Sequence, residues 1–126
     1  MVVGIGVDIV EVDRIEKALS NSKSMARRVF NDAEIEYCSG QKNLFQHFAG
    51  RFAAKEAALK ALGTGWQKGI RWRDVEVISG PLGKPALVLH NRALQIFEES
   101  GATNGCVTIS HAEKYAVAMV IMEALG

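Results

Sequence analysis

Three residues stand where their types are hardest to explain as packing, and each could do chemistry. Asp8 interrupts the apolar run Val2 to Val10. In an extended chain it shares a face with Gly4 and Gly6, while Val3, Ile5, Val7 and Ile9 line the other face. Two glycines leave room for a ligand or another backbone to come close. A carboxylate beside them must be hydrogen-bonded, paired or metal-bound, because burying it alone is costly. The ordinary alternative is a strand-end carboxylate that faces water or caps the next helix. Glu56 is the second residue. Phe45, Phe48, Phe52 and Leu59 recur at helical spacing, and Glu56 lies at the edge of that stripe with Lys60 one turn further on. An exposed Glu–Lys pair of this kind is worth only a few tenths of a kcal/mol. The functional alternative is a carboxylate for a metal with lysines beside it for phosphate. Hard oxygen ligands completed by water and phosphate describe magnesium. Arg51 and Lys55 form a neighbouring basic row, there to hold phosphate or simply to be solvated. His111 is the third residue, after Val107-Thr108-Ile109-Ser110 and before Tyr115-Ala116-Val117-Ala118. His47 and His90 lack such company and receive no role.

The elements that would position these groups follow from periodicity. Residues 2–10 read as a strand, and a helix opens near Glu11 carrying Arg14 and Lys17. The polar run Ser20 to Ser24 breaks or bends it, since short polar side chains compete for the backbone. A turn follows from Met25 to Phe30. Asn31-Asp32-Ala33-Glu34 then resembles a capping box that starts a short helix. The longest helix runs from about Asn43 to Leu62 and stops at Gly63. Asp74 to Ser79 and Pro85 to Leu89 read as strands, Asn91 to Ser100 as a helix capped by Asn91, and Cys106 to Ser110 with Tyr115 to Met122 as a hairpin. Helices and strands mix without regular alternation, which points to an α+β class.

At 126 residues the chain is one domain, 1–126. Its net charge of +1 argues against a general nucleic-acid binder. The charge is uneven, however. Arg14, Lys17, Lys23, Arg27 and Arg28 face only Glu16 within residues 14–30, so that segment is +4 and the remainder −3. Such a patch suits an acidic partner, or is a solvated helix face. Cys38 and Cys106 form no framework and have no metal-ligand neighbours, as expected of reduced cysteines in a cytoplasmic protein. No signal peptide or membrane span is expected. Phosphate-loop, nucleophile-elbow and zinc-protease templates are absent, and Gly4-Ile5-Gly6 lacks the third glycine of a dinucleotide fingerprint.

Taken together, three blocks resemble the holo-acyl-carrier-protein synthase family of phosphopantetheinyl transferases. They are Gly4-Ile5-Gly6-Val7-Asp8-Ile9-Val10-Glu11-Val12 with Arg14-Ile15, the stretch Gly50-Arg51-Phe52-Ala53-Ala54-Lys55-Glu56-Ala57-Ala58-Leu59-Lys60-Ala61-Leu62-Gly63-Thr64-Gly65, and Ile109-Ser110-His111 with Tyr115-Ala116. Gly83-Lys84-Pro85 is a weaker fourth. The central block is the most specific. The loop from Trp66 to Arg73 is not diagnostic.

The resemblance implies a fold of antiparallel strands packed with a long central helix. It also implies magnesium held by Asp8 and Glu56 and bridging the diphosphate of coenzyme A. Coenzyme A contacts would come from Arg51, Lys55, Lys60, Gly63, Lys84, Pro85 and His111. The implied assembly is a homotrimer with each site between two subunits. The implied reaction places phosphopantetheine on a serine of an acyl carrier protein and releases 3′,5′-ADP, serving fatty acid biosynthesis. Lys60 is the candidate for the leaving or bridging phosphate. The serine proton goes to Glu56, His111 or a water on the metal. Arg14, Met25 and Arg28 fall together on a helical wheel if the backbone stays helical through Ser20 to Ser24, giving a cationic face for an acidic carrier helix. Two other classes stay open: a non-enzymatic module binding nucleotide or coenzyme A, and an interaction module using only residues 14–30. The first would need no paired carboxylates, and the second no central block.

Overall fold

Alternating residues make the first strand, and the placement of its glycines decides what packs on it. The computed structural model describes residues 1–65 and 69–125. Strand β1 (Val2–Glu11) pairs antiparallel with β5 (Tyr115–Glu123), which pairs antiparallel with β4 (Asn104–His111). The sheet order is therefore β1-β5-β4. Helix α4 (Leu44–Leu62) lies across one face of this sheet. A Cβ at Gly6 would come 1.8 Å from the Ala57 carbonyl oxygen, and one at Gly4 2.1 Å from that of Ala61. The two glycines are thus the price of direct backbone contact between strand and helix. Ala53, Ala57 and Ala58 of α4 and Ala116, Ala118, Val120 and Met122 of β5 fill this layer and are buried.

The glycine face of β1 is therefore the inner one. Ile5, Val7 and Ile9 point outward and stay exposed, as do Tyr115, Val117 and Met119 of β5. Around α4 stand α1 (Val12–Asn21), α2 (Lys23–Val29) and α3 (Asp32–Ser39), followed by the hairpin of β2 (Val75–Ser79) and β3 (Pro85–Leu89) and by α5 (Asn91–Glu99). The expected α+β arrangement with a long central helix is the one found. The helix ends where Gly63 adopts φ +80, a conformation that favours glycine. Part of the loop before β2, residues 66–68, lies outside the described residues.

Two local expectations change. Ser22 is extended (φ −145, ψ 114) and separates α1 from α2, so Arg14 does not share one continuous helix with Met25 and Arg28. Asn91 does not cap α5. It sits at φ +50 and donates through Nδ2 to Asp74 Oδ1 at 3.0 Å, and His90 occupies the cap position. The expected capping box before α3 is present, with Glu34 Oε1 accepting the Asn31 backbone N–H at 2.7 Å and the Asn31 side chain facing the Glu34 backbone in return.

Candidate active site

Where β1 runs antiparallel to α4, Asp8 is the next inward residue after Gly4 and Gly6. Lys60 reaches it from the helix. Its Nζ donates to Asp8 Oδ1 at 3.0 Å and to the Val7 carbonyl at 2.9 Å. The Lys60 side chain is 54% exposed and that of Asp8 19%. A pair this open to water adds little stability, so its position is better explained by what it can bind. Glu56 is half-buried one turn before Lys60, about 6 Å along the axis and on the same side of the helix. The corner thus offers Asp8, Glu56 and Lys60 as a set, with a cation already seated between a carboxylate and a carbonyl oxygen. Oxygen donors that hold an ammonium in this way also fit magnesium, which needs few protein ligands and takes the rest from water and phosphate. Among the described residues no group of three His, Cys, Asp or Glu could hold a metal, so the fit is to two carboxylates only.

Lys55 is elsewhere, and the expectation that it holds coenzyme A is corrected. Its side chain has 0% exposure and pairs with Glu34 Oε1 at 2.9 Å. It also donates to Asn31 Oδ1 at 3.1 Å, to the Trp72 carbonyl at 3.2 Å and to the Val75 carbonyl. An ammonium with these partners has no donor left for phosphate. Burial pushes its pKa below the ordinary lysine value, outweighing the opposite pull of Glu34. Arg51 is also buried rather than solvated. It donates to Ser79 Oγ at 2.6 Å and lies over the Tyr37 ring at 4.3 Å. Its Nε is buried without a hydrogen-bond partner among the described residues. Beside it, burial raises the Cys38 thiol to about 12; Arg51 opposes the shift and Glu34 adds to it. Glu34, whose Oε2 also accepts the Val77 N–H at 2.7 Å, escaped the sequence reading as an ion-pair partner. Only its capping spacing could have drawn attention to it.

His111 ends β4 and lies over the other half of α4. Its ring stands 5.0 Å from that of His47, and a Cβ on Gly50 would meet its Cδ2 at 4.0 Å. His47 therefore has company after all, with the Tyr37 ring also near it at 5.7 Å. Burial lowers its pKa, and His111 and Arg51 lower it further. Nothing in the sequence places residues 47 and 111 together. From Gly50 to Lys60 is about 15 Å of helix, and Glu56 is turned about 120° from Gly50. Within one chain His111 is thus distant from Lys60 along the helix, while on the sheet it lies two residues beyond Ile109, which stands two strands across from Asp8.

The sequence matches the model of the 4'-phosphopantetheinyl transferase superfamily over residues 4–120. The chain belongs to that superfamily. It is 47% identical over 124 residues to the holo-[acyl-carrier-protein] synthase of Geotalea daltonii, covering 98% of this chain and 99% of that one. Its fold is similar to a crystal structure of holo-[acyl-carrier-protein] synthase from Neisseria meningitidis, with TM-score 0.87, 32% identity and coverage of 98% and 99%. A synthase from Bacillus anthracis in complex with CoA (3',5'-ADP) matches with TM-score 0.82, 38% identity and 99% coverage of both chains.

In this phosphopantetheinyl transferase, Gly63 is exposed at the end of α4, one turn beyond Lys60. Lys84 is exposed and Pro85 half-buried at the start of β3. No hydrogen bond or ion pair joins either to the Asp8–Lys60 pair among the described residues. Arg14 on α1 and Arg28 on α2 are exposed, and Met25 is half-buried against the core. They lie on two packed helices rather than on one wheel.

Proposed function

We propose that the protein transfers the 4'-phosphopantetheine group of coenzyme A to a serine of an apo acyl carrier protein and releases 3',5'-ADP, for fatty acid biosynthesis. The observation that carries this reading is the Asp8–Lys60 corner, at a strand–helix contact that glycines bring close, with Glu56 one turn away. The serine Oγ forms a bond to the phosphorus bearing pantetheine, and the bond from that phosphorus to the 3',5'-ADP oxygen breaks. The serine proton passes to a base, for which Glu56 and His111 are the protein candidates. Negative charge gathers on the departing phosphate, where the Lys60 ammonium meets it. When bound at Asp8 and Glu56, magnesium supplies further charge neutralisation at the diphosphate. Gly63, Lys84 and Pro85 border the coenzyme on this reading, and Arg51 acts by holding Ser79 and Tyr37.

The same reading makes the protein a homotrimer with sites between subunits. Its support is the exposed apolar face of β1 and β5, where Ile5 is 60% and Ile9 65% exposed, together with the remoteness of His111 from Lys60. A patch of that kind is suited to burial against a second copy. No described helix is long and apolar enough to cross a membrane, and Cys38 and Cys106 are free. A cytoplasmic location agrees with the free thiols. The basic surface of α1 and α2 receives the acidic carrier through Arg14, Met25 and Arg28. The test is to weigh an apo carrier after incubation with coenzyme A and magnesium. The carrier gains one phosphopantetheine with the wild-type protein, and far more slowly with folded Asp8→Asn or Glu56→Gln. An unmodified carrier rejects the enzyme reading. Near-normal magnesium-dependent turnover in either variant rejects the corner.

A further inference from the structure

Beside Trp72 opens a recess of about 720 Å³. Arg28 of α2, Arg71 and Arg73 border it, as do His90, Asp74 and Glu76. The acids in it are already engaged. Asp74 is buried and accepts the Arg71 backbone N–H at 2.9 Å and Asn91 Nδ2 at 3.0 Å. Glu76 Oε1 stands 2.9 Å from His90 Nε2. The guanidinium groups, by contrast, face solvent. Arg28 and Arg71 are exposed and have no carboxylate within ion-pair distance among the described residues. Arg73 meets only the side chain of Asp32, at 2.9 Å, which is itself 88% exposed. Such a pair exchanges readily for another anion.

The backbone that presents these arginines is well fixed. Asp74 ties the turn at Trp72 to the start of α5, the Asp74 carbonyl accepts the His90 N–H at 2.8 Å, and Trp72 stacks on Phe52 with ring centroids 5.0 Å apart. Cations held by a fixed turn lose less freedom on meeting a partner. Arg28 belongs both to this recess and to the basic helices proposed to receive the carrier, so the two surfaces are continuous.

We infer that this recess extends the docking surface for the acidic carrier protein, with Arg71 and Arg73 joining Arg28 in binding carboxylates of that partner. The inference rests on the proposed carrier reaction. Arg71 and Arg73 would then help decide which carrier is accepted, because a partner lacking acids at that end loses the added attraction.

The test compares the Arg71→Glu/Arg73→Glu variant with Arg14→Glu, which lies outside the recess, by initial rates against carrier and coenzyme A at low and high salt. The recess variant is expected to raise KM for the carrier roughly tenfold at low salt, with the difference shrinking as salt screens it. Its KM for coenzyme A stays at the wild-type value. If Arg14→Glu raises the carrier KM and the recess variant does not, this inference fails while the docking reading stands. If neither does, the docking reading fails as well. A rise in KM for coenzyme A alone would make the recess a phosphate site and overturn the inference. Should the reversed variant melt below the assay temperature, Arg71→Gln/Arg73→Gln takes its place. Roughly a threefold rise in carrier KM then supports the inference, and no change refutes it.

Discussion

Replacing Lys55 by methionine separates a structural lysine from a phosphate ligand. The substitution keeps the stem and removes the ammonium. Glu34, 1% exposed, then retains the Asn31 and Val77 backbone N–H groups but loses its counter-charge. The carbonyls of Trp72 and Val75 and Asn31 Oδ1 lose their donor at the same time. Removing one partner of a buried pair typically costs about 3–5 kcal/mol. For a domain of this size that is a fall in Tm of roughly 10–25 °C. Forming the pair is no bargain either, since burial already drives the Lys55 pKa down against the pull of Glu34. Removing the second charge should therefore give stability back. Lys55→Met/Glu34→Gln is expected to be more stable than Lys55→Met alone, with a coupling of about 0.5–3 kcal/mol.

Urea unfolding followed by circular dichroism measures all three variants, and initial rates below the lowest midpoint give KM for coenzyme A. Lys55→Met is expected to lose much of its stability with KM for coenzyme A little changed. A Lys55→Met protein within about 1 kcal/mol of wild type, but with a sharply raised KM for coenzyme A, would refute this expectation.

Lys60→Ala should lower turnover by more than it raises KM for the carrier, because the charge it meets grows in the transition state; a change confined to the carrier KM would move Lys60 to the docking surface. Gly6→Ala should cost at least the ~1–3 kcal/mol of an overpacked core, since its Cβ would stand 1.8 Å from the Ala57 carbonyl oxygen; an unchanged urea midpoint would contradict that contact. Cys38, raised to about 12 by burial, should resist a thiol reagent at pH 8 until the protein unfolds; measured in a Cys106→Ser background, since Cys106 is exposed, rapid labelling of the native protein would contradict that burial. Refolding an equal mixture of Asp8→Asn and His111→Ala chains should restore activity at about a quarter of the inter-subunit sites if those residues meet across a trimer interface. No recovery, with mixed oligomers formed, would place them in one subunit's site or in none.

Local patterns carried most of the fold. Alternation in β1, the alanine-rich run of α4 and the stop at Gly63 each depend on neighbours within a few residues. What long-range packing decides was harder to read. The spacing of Arg51 and Lys55 resembles that of any basic helix row. Only the approach of α3 and β2 to α4 turns Lys55 into a buried group, and Glu34 lies 21 positions before it. The helical wheel through Arg14, Met25 and Arg28 failed at a single extended residue, Ser22, although Ser20 to Ser24 already signalled a weakness there. For β1 the sequence gives two faces and no direct statement of which is inner. Burying the branched face would be the ordinary choice. Here the glycine face is inner, because α4 supplies alanines and backbone carbonyls that only glycines can approach.

That inversion links the corner to the assembly. Turning Gly4 and Gly6 toward α4 carries Asp8 to the helix with them, within reach of Lys60. The same turn sends Ile5, Val7 and Ile9 outward, alongside Val117 and Met119 of the neighbouring strand. A strand with period two cannot do one without the other. The residues that place the carboxylate therefore also create an apolar surface that water alone would cover poorly. His111, held over Gly50 and His47, makes no hydrogen bond or ion pair with that carboxylate in its own chain, the register setting Asp8 two strands across from Ile109. A second copy seated on the outward face relieves the exposed apolar surface and offers a second β4 end at the same time. In the proposed trimer the second copy would complete the active site as a consequence of how the glycines face, and breaking the glycine contact would then disturb carboxylate and interface together.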